Sequence, residues 1–444
     1  MGSRLDPDSG RFAFWCFEPD KEPDLDRLAH PNLSPPRLGS TKSNLLHSPR
    51  SFGVEAPFGG LEMEMLHRCC AGLDVHKKTV VACIRRITDA GRLEEQVLSF
   101  GTTTGELLAL ADWLAGHGVR QVAMESTGVY WKPVYNLLEP HFEVMLVNAQ
   151  HIKKVPGRKT DVCDSQWIAE LLQFGLLRPS FIPPLPIRQL RDLTRQRTQL
   201  VRHRATACNR LQKVLEDANI KLASVAADIL GVSGRAMLKA LINEVEDPAE
   251  LAELARGRMR SKLPALREAL RGQVRDHHRF QLQELLDQVT DLEGRIERQS
   301  SRVATLIAPY SAAVERLQTI PGVDRRAAEV LVAEVGTDMT RFATADHLCS
   351  WAGMSPGNDR SAGKRRSGRT TKGDCWLRSV VVQAAWAASH TKTTILGATY
   401  RRWVKRMGRK RALVALGHKI LVLVYKLLST ETEYEERLKP EEAA

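Results

Sequence analysis

The sequence predicts an α/β domain followed by a mostly helical remainder, which is an α/β plus α architecture. Between about residues 69 and 178, segments with a strand pattern alternate with segments of helical periodicity. Beyond the Pro-rich segment "RPSFIPPLPIRQL" the periodicity is helical almost throughout. A chain of 444 residues is also too long for one ordinary core. Several domains are therefore expected.

Eight elements are predicted in the α/β region. The segment "AGLDVHKKTVVACIRRI" predicts a hairpin of two strands, and "EEQVLSFGTT" predicts a third strand. Helix, strand, helix, strand and helix follow in "TGELLALADWLAGHG", "RQVAMES", "VYWKPVYNLLEPH", "FEVMLVNA" and "TDVCDSQWIAELLQFGLL". The order β-β-β-α-β-α-β-α predicts a mixed sheet covered by helices, and ribonuclease-H-like nucleases use this order.

The rest of the chain divides into four segments. Residues 1–64 are rich in Pro, Ser and Gly and are predicted to be a disordered leader. Residues 185–312 contain two long amphipathic runs with coiled-coil-like spacing and are predicted to form a helical connector that pairs as a hairpin. Residues 313–428 contain near their start "LQTIPGVDRRAAEVLVAEVG", which predicts a helix-turn-helix-like hairpin. Residues 429–444 form an acidic tail.

The charge balance indicates a polyanionic partner. The chain has 65 lysines and arginines against 52 aspartates and glutamates, a formal net charge of +13. Nucleic acid is the first candidate and an anionic membrane surface is the second. The eight cysteines form no CxxC pair, which favours a reducing compartment, and no N-terminal signal is visible. We expect an intracellular protein with no membrane partner.

Carboxylates in the α/β region suggest a metal site. Asp74 lies inside the first predicted strand, where an unpaired charge among apolar neighbours is costly. Glu125 ends the fourth predicted strand. Asp161 and Asp164 head the last predicted helix, and the i, i+3 spacing places both on one helical face. Four carboxylates that converge in this way would suit a pair of Mg²⁺ ions, which can assist phosphoryl transfer.

Three of these four acidic residues also have an alternative explanation. Two aspartates at a helix start are favoured by the helix dipole alone. Glu125 could be an ordinary surface residue. Asp74 is the hardest to dismiss, because a strand interior offers no local reason for a carboxylate.

Six motifs occur in order along the chain, namely "GLDVHK", "AMESTGVYWKPV", "KTDVCDSQWIAELL", "IPGVDRRAAEVLVAEVG", "WAGMSPG" and "KGDCWLR". Together they resemble the DEDD transposases of bacterial insertion sequences, the IS one-ten family, over about residues 65 to 428. The resemblance implies that Asp74, Glu125, Asp161 and Asp164 are the DEDD tetrad of a RuvC-like domain at residues 69–178. It also implies that residues 313–428 are a transposase domain that carries a serine nucleophile.

The position that matches the family's serine is Ser361, in "GNDRSAGKRR". The nearby cations that could neutralise a scissile phosphate are Lys364, Arg365, Arg366, Arg369 and Lys372. Most loop serines are turn formers, and Ser355, Ser367 and Thr370 compete for the same role. Only the resemblance selects Ser361 among them.

The resemblance further implies DNA strand exchange through a covalent phosphoserine intermediate. It implies guidance by a structured bridge RNA that pairs with donor and target DNA, and a homo-oligomer, dimer or tetramer, in which one subunit's metal site meets another's serine. For phosphate contacts we predict the basic helix residues Arg195, Arg197, Arg202 and Arg204, together with Arg158 and Lys159 beside the acidic pair. A solvated helical linker is the alternative reading of that basic helix.

The motifs also depart from the expected pattern at one turn. In "IPGVDRR" Asp324 occupies the place of a second glycine after Gly322, which weakens phosphate binding by the turn and favours a packing role. Two rival functions remain open on the sequence alone. One is a metal-dependent junction nuclease that uses no serine, and the other is a nucleic-acid-binding protein without catalysis.

Overall fold

The computed structural model describes residues 65–126, 128–148, 163–357, 359–361, 364–367, 369–370 and 372–436. These residues form two compact units, one ending at Ile182 and one starting at Pro183. The predicted connector and C-terminal domain thus fall within one unit. The predicted leader, residues 1–64, lies outside the described residues, as does the tail beyond residue 436.

The first unit is built on a five-stranded mixed sheet. Its strands are β1 (Cys69–Val75), β2 (Thr79–Ile87), β3 (Leu93–Gly101), β4 (Gln121–Glu125) and β5 (Glu143–Val147). The spatial order is β3-β2-β1-β4-β5. Strands β1, β2 and β3 pair antiparallel, whereas β4 runs parallel to both β1 and β5. The predicted mixed sheet is confirmed, and β1 is its central strand.

Helices cover both faces of this sheet. They are α1 (Thr104–Gly116), α2 (Trp131–Leu138) and α3 (Asp164–Gln173). On one face, Leu73 and Met124 pack with apolar residues of α1 and α2. On the other face, Cys70 and Ala123 pack with Trp167 and other residues of α3. The strand alternation therefore assigns each residue of β1 and β4 to one of the two helical layers.

The contact between α3 and β1 is very close. A Cβ atom built on Gly72 would lie 2.3 Å from the backbone of Ser165 and of Ala169, so only glycine allows the helix to approach the central strand this closely. The buried Arg85 of β2 connects the helix to the sheet by hydrogen bonds. Its guanidinium donates to Gln173 of α3 at 3.0 Å and to Glu95 of β3 at 3.0 Å. The Gly72 contact thus holds the first half of α3 over the central strand, and Arg85 holds the last residue of the helix, Gln173.

The second unit is mostly helical. Its helices are α4 (Leu185–Asp217), α5 (Leu222–Val225), α6 (Val232–Ile242), α7 (Pro248–Glu253), α8 (Leu263–Ala269), α9 (Asp276–Ile307), α10 (Ser311–Gln318), α11 (Arg325–Val335), α12 (Ala345–Trp351), α13 (Cys375–His390), α14 (Ile395–Met407) and α15 (Arg409–Thr430). The long helices α4 and α9 share one apolar core, to which Leu211 and Leu282 belong. The two long predicted helices therefore do pack against each other.

Two short strands lie within the segment that the sequence predicted as a basic loop. Strands β6 (Asp359–Ser361) and β7 (Lys364–Ser367) pair antiparallel. The loop prediction is corrected here to a β-hairpin, because backbone pairing between nearby strands can override a composition rich in Gly, Ser and Arg.

The last helix, α15, is long and apolar enough to cross a membrane by length and composition. However, Leu416, Ile420, Leu421 and Val424 are completely buried within the second unit. These residues make α15 a helix of the protein core, as predicted from the charges that interrupt its apolar run.

The turn before α11 is used for packing. Gly322 has a φ of +90°, and a Cβ atom there would lie 2.3 Å from the carbonyl oxygen of Ala384 in α13. The side chain of Asp324 caps α11 by accepting a hydrogen bond from the amide of Ala327 at 2.7 Å. The predicted packing role of this turn agrees with both contacts.

Candidate metal centre and serine hairpin

Asp74 and Glu125 lie side by side on the sheet. Leu73 pairs with Met124 in the parallel β1–β4 ladder, so Asp74 and Glu125 are the next residues on the two strands. Leu73 and Met124 belong to the core beneath α1 and α2, and strand alternation therefore turns Asp74 and Glu125 toward the opposite face, where α3 lies. Two of the predicted carboxylates thus share one face at the carboxyl ends of neighbouring parallel strands.

Asp164 reaches the same face from the helix. It is the first residue of α3, and the following residue, Ser165, is in close contact with Gly72, two positions before Asp74. Asp74 and Asp164 are near enough to interact electrostatically. Asp161 lies outside the described residues, and α3 begins only at Asp164, so the predicted helical spacing of the two aspartates stays a prediction.

The environment of Asp74 is costly for a lone negative charge. Its side chain is 17% exposed, and burial raises the pKa of this carboxyl group above its usual value. His76 opposes that effect from 3.1 Å, and the negative charge of Asp164 raises the pKa further. A cation between Asp74 and Asp164 would remove their repulsion, because it offsets both the burial and the like charge. Sequence reasoning did not single out His76.

The donor set fits a hard divalent cation. Asp74, Glu125 and Asp164 all offer carboxylate oxygens, which are the ligands that Mg²⁺ prefers. They come from a central strand, its parallel neighbour and a helix locked to the sheet, so their backbones are held by rigid elements. The arrangement can therefore hold a cation without rebuilding the fold.

A second group of potential ligands, Asp217, His277 and His278, lies at the junction of α4 and α9. Here the hydrogen bonds indicate a structural role. The Nδ1 atom of His278 accepts from the amide of Arg275 at 3.1 Å, which requires the proton to sit on Nε2, 2.9 Å from Asp217. A protonated Nε2 cannot bind a metal. His278 therefore caps α9 and joins it to α4.

Ser361 is the last residue of β6 and pairs with Lys364, the first residue of β7. The chain after the hairpin is tightly anchored. A Cβ atom on Gly373 would lie 2.2 Å from the amide of Gly353, and Asp374 accepts hydrogen bonds from Trp376 and Leu377 at the start of α13. This anchoring fixes where the hairpin leaves the helical core.

The arginines of α4 mostly face carboxylates of the same unit. Arg195 donates to Glu334 at 2.7 Å and to Asp374 at 2.9 Å. Arg204 pairs with Glu293 at 2.7 Å. Arg202 is exposed and lies 5.1 Å from the ring centre of Trp376.

Arg197 is the clearest case. It is 4% exposed and pairs at 2.7 Å with Glu329, which is also 4% exposed. A phosphate could reach Arg197 only by opening the core. We therefore assign Arg197 to the ion pair and correct its predicted role in phosphate binding. For Arg195 and Arg204, the ion pairs offer a structural alternative to that role.

We expect Arg197→Ala to lower the free energy of unfolding by about 3 kcal/mol or more, because it leaves the buried charge of Glu329 with only the exposed Arg325. Urea denaturation would measure this decrease. Arg210→Ala, at an exposed position of the same helix, should change stability by less than about 0.5 kcal/mol. The double variant Arg197→Met/Glu329→Leu should recover most of the stability. Equal stability of the Arg197 and Arg210 variants would contradict the assignment.

The other predicted phosphate contacts lie outside the described residues, on β7 or just after it. Arg158 and Lys159 lie outside the described residues. Lys364, Arg365 and Arg366 are on β7 by their backbone. Arg369 and Lys372 are exposed beyond the hairpin. All of these contacts remain predictions.

Comparison with known proteins finds matches to both units. Residues 71–220 match a family model described as a transposase of the DEDD type. Residues 314–401 match a model described as the transposase IS116/IS110/IS902 family. The first match contains Asp74, Glu125 and Asp164, and the second contains Ser361.

Individual relatives share about a quarter of the aligned residues with this chain. The chain is 24% identical over 300 residues to a Sinorhizobium fredii protein designated y4pF/y4sB and described as a transposase, covering 66% of this chain and 68% of the relative. It is 26% identical over 299 residues to the Coxiella burnetii transposase for insertion sequence element IS1111A, covering 65% and 72%. It is also 25% identical over 178 residues to the pilin gene-inverting protein of Moraxella lacunata, covering 38% and 52%.

Proposed function

The chain belongs to the IS116/IS110/IS902 family of transposases and is a DNA transposase or recombinase, and from this premise we propose that it cleaves and exchanges DNA strands with two distinct sets of residues. One set is a Mg²⁺ site formed by Asp74, Glu125, Asp161 and Asp164. The other is the serine hairpin with Ser361. The sheet order and the close packing of α3 on β1 support a RuvC-like fold for the first unit.

The observation that carries the proposal is the convergence of Asp74, Glu125 and Asp164 on one face of the sheet. When bound there, Mg²⁺ would stabilise charge that develops on phosphate oxygens. Asp74 and Glu125 would hold the cation from the strand ends. Asp164, at the first turn of α3, would approach it from above. His76 neighbours Asp74 and can keep that carboxylate oriented.

The serine step conserves the phosphodiester. The Oγ atom of Ser361 would attack the scissile phosphorus, forming an O–P bond to serine while the bond from phosphorus to a deoxyribose oxygen breaks. The serine proton ends on the departing deoxyribose hydroxyl. A second deoxyribose hydroxyl then attacks the phosphoserine and restores serine. No phosphodiester bond is hydrolysed by water, so the number of phosphodiester bonds is unchanged after strand exchange.

The proposal extends to partners. The net charge of +13 favours polyanionic partners, and we propose that these are DNA and a structured guide RNA. A homo-oligomer would let the carboxylates of one subunit act with the serine of another. The gene-inverting function named for the Moraxella relative supports recombination between DNA sites as the reaction class.

The test is a reconstituted excision assay with the element's ends, its noncoding RNA and Mg²⁺. We expect joined products in Mg²⁺, none in EDTA, and a protein–DNA adduct that survives denaturing gels. Cleavage by water without any adduct would show a metal-dependent nuclease instead. DNA binding without cleavage under every condition would show a protein that has no catalytic activity.

A further inference from the structure

We infer that the junction of α14 and α15 forms a second nucleic-acid surface, a cationic ridge that binds phosphate backbone. The ridge comprises Arg401, Arg402, Lys405, Arg406, Arg409, Lys410 and Arg411. All seven residues are exposed. Sequence reasoning had placed the phosphate contacts elsewhere, on α4 and on the basic segment around Ser361.

Acidic residues do not compensate this charge. The sequence contains no Asp or Glu between Asp374 and Glu431. Within the part of the chain that the structure describes, none of the seven ridge cations forms an ion pair. The arginines of α4 differ in this respect, because Arg195, Arg197 and Arg204 all face carboxylates.

Local helix electrostatics do not explain the ridge either. Lys405 and Arg406 suit the negative C-terminal end of α14. Arg409, Lys410 and Arg411, however, occupy the first turn of α15, where the helix dipole disfavours cations. Like charges also stand at i, i+4 along α14, in the pairs Arg401–Lys405 and Arg402–Arg406. Cations at positions that the helix dipole and like-charged neighbours disfavour indicate a binding site for an external polyanion.

The acidic tail does not fill this role in the residues described. Glu431 lies 3.9 Å from Arg316, and Glu436 accepts a hydrogen bond from the amide of Ile395. Ile395 is the first residue of α14, at the opposite end from the ridge. The described part of the tail therefore leaves the ridge to another partner.

A nucleic acid fits the ridge better than a membrane does. Helices that lie on membranes need a large exposed apolar face beside their cations. The structure describes no large exposed apolar side chain on α14 or α15, and Leu416, Ile420 and Val424 point into the core. Phosphate backbone requires only accessible cations at short intervals, which this junction provides. DNA and RNA share that chemistry.

The test compares two triple variants that each remove three positive charges. The ridge variant is Arg402→Gln/Arg406→Gln/Lys410→Gln. The control is Arg271→Gln/Arg295→Gln/Arg341→Gln, which removes three exposed cations that each pair with a carboxylate. Binding to a 30-base-pair duplex of DNA or of RNA is measured against salt concentration, without Mg²⁺. Failure of catalysis would not affect this measurement, so the ridge and the proposed reaction fail independently.

The ridge variant should bind on the order of 100-fold more weakly at about 0.1 M salt, and its log–log salt slope should fall by roughly 0.9 for each phosphate that it no longer neutralises. The control should stay within a few-fold of the wild-type protein. Weaker binding to one duplex alone assigns the ridge to that nucleic acid. Equal weakening in the ridge and control variants would overturn the inference. So would unchanged duplex binding together with abolished binding to phosphatidylglycerol vesicles.

Discussion

Asp74→Asn should reduce strand exchange by on the order of 10³-fold, because removal of a carboxylate from the proposed metal site would lose several kcal/mol of charge stabilisation in the transition state. The substitution keeps the shape of the side chain and removes only its charge. It should also weaken the thermal stabilisation that Mg²⁺ or Mn²⁺ gives the wild-type protein, since a cation that binds only the folded state raises stability. Excision assays and melting curves measure the two effects separately.

The unfolding temperature of the metal-free Asp74→Asn protein tests whether a loss of activity comes from misfolding. Burial raises the pKa of Asp74, so the folded protein holds the ionised carboxylate less readily than the unfolded chain does. Above that pKa the charge costs stability, and asparagine removes the cost. The metal-free variant should therefore unfold at the same temperature as the wild type or higher. Asp89→Asn, at an exposed position after β2, should leave both activity and metal response unchanged. Full excision by the Asp74 variant would refute the metal site.

Ser361→Ala should eliminate both the covalent adduct and excision, with a decrease of on the order of 10³-fold or more, because in the proposed reaction the Oγ atom of Ser361 is the oxygen that bonds to phosphorus. Its response to Mg²⁺ or Mn²⁺ should match that of the wild type, since the carboxylates belong to the other unit. Denaturing gels with labelled DNA detect the adduct directly.

Ser367→Ala is the matched control for the hairpin. Ser367 pairs with Asp359, whereas Ser361 pairs with Lys364, so the two serines stand at different ends of the same small sheet. We expect the Ser367 variant to keep adduct formation and excision. An adduct in the Ser361 variant that disappears in the Ser367 variant would move the nucleophile to Ser367. Adducts in both would point to Ser355 or Thr370.

Much of the first unit was predictable because its signals are local. The short apolar runs of β1 and β4 and the helical periodicity of α1 indicate their elements without reference to distant residues. The mixed sheet follows from the order of those elements. Asp74 could be selected because a carboxylate inside an apolar strand is costly in any fold.

Other features lacked a local signal. Sequence reasoning treated the segment around Ser361 as a loop, since strands of three and four residues leave too short a pattern to detect. His76 was missed because its significance depends on the turn that brings it within 3.1 Å of Asp74. The cationic ridge did have a visible signal, the run "RRWVKRMGRKR", but its lack of carboxylate partners is a property of the folded chain.

The sequence by itself determined the element order of the first unit, the position of Asp74 inside the first strand and of Glu125 at the end of the fourth, and the excess of basic charge. Tertiary structure alone decided which basic residues remain available. Arg195 meets Glu334 across 139 positions, and Arg197 meets Glu329 across 132. No local pattern encodes such pairs, because they form only when the packing of α4 against α11 brings distant side chains together. That packing pairs one set of cations with carboxylates, whereas the ridge cations stay exposed.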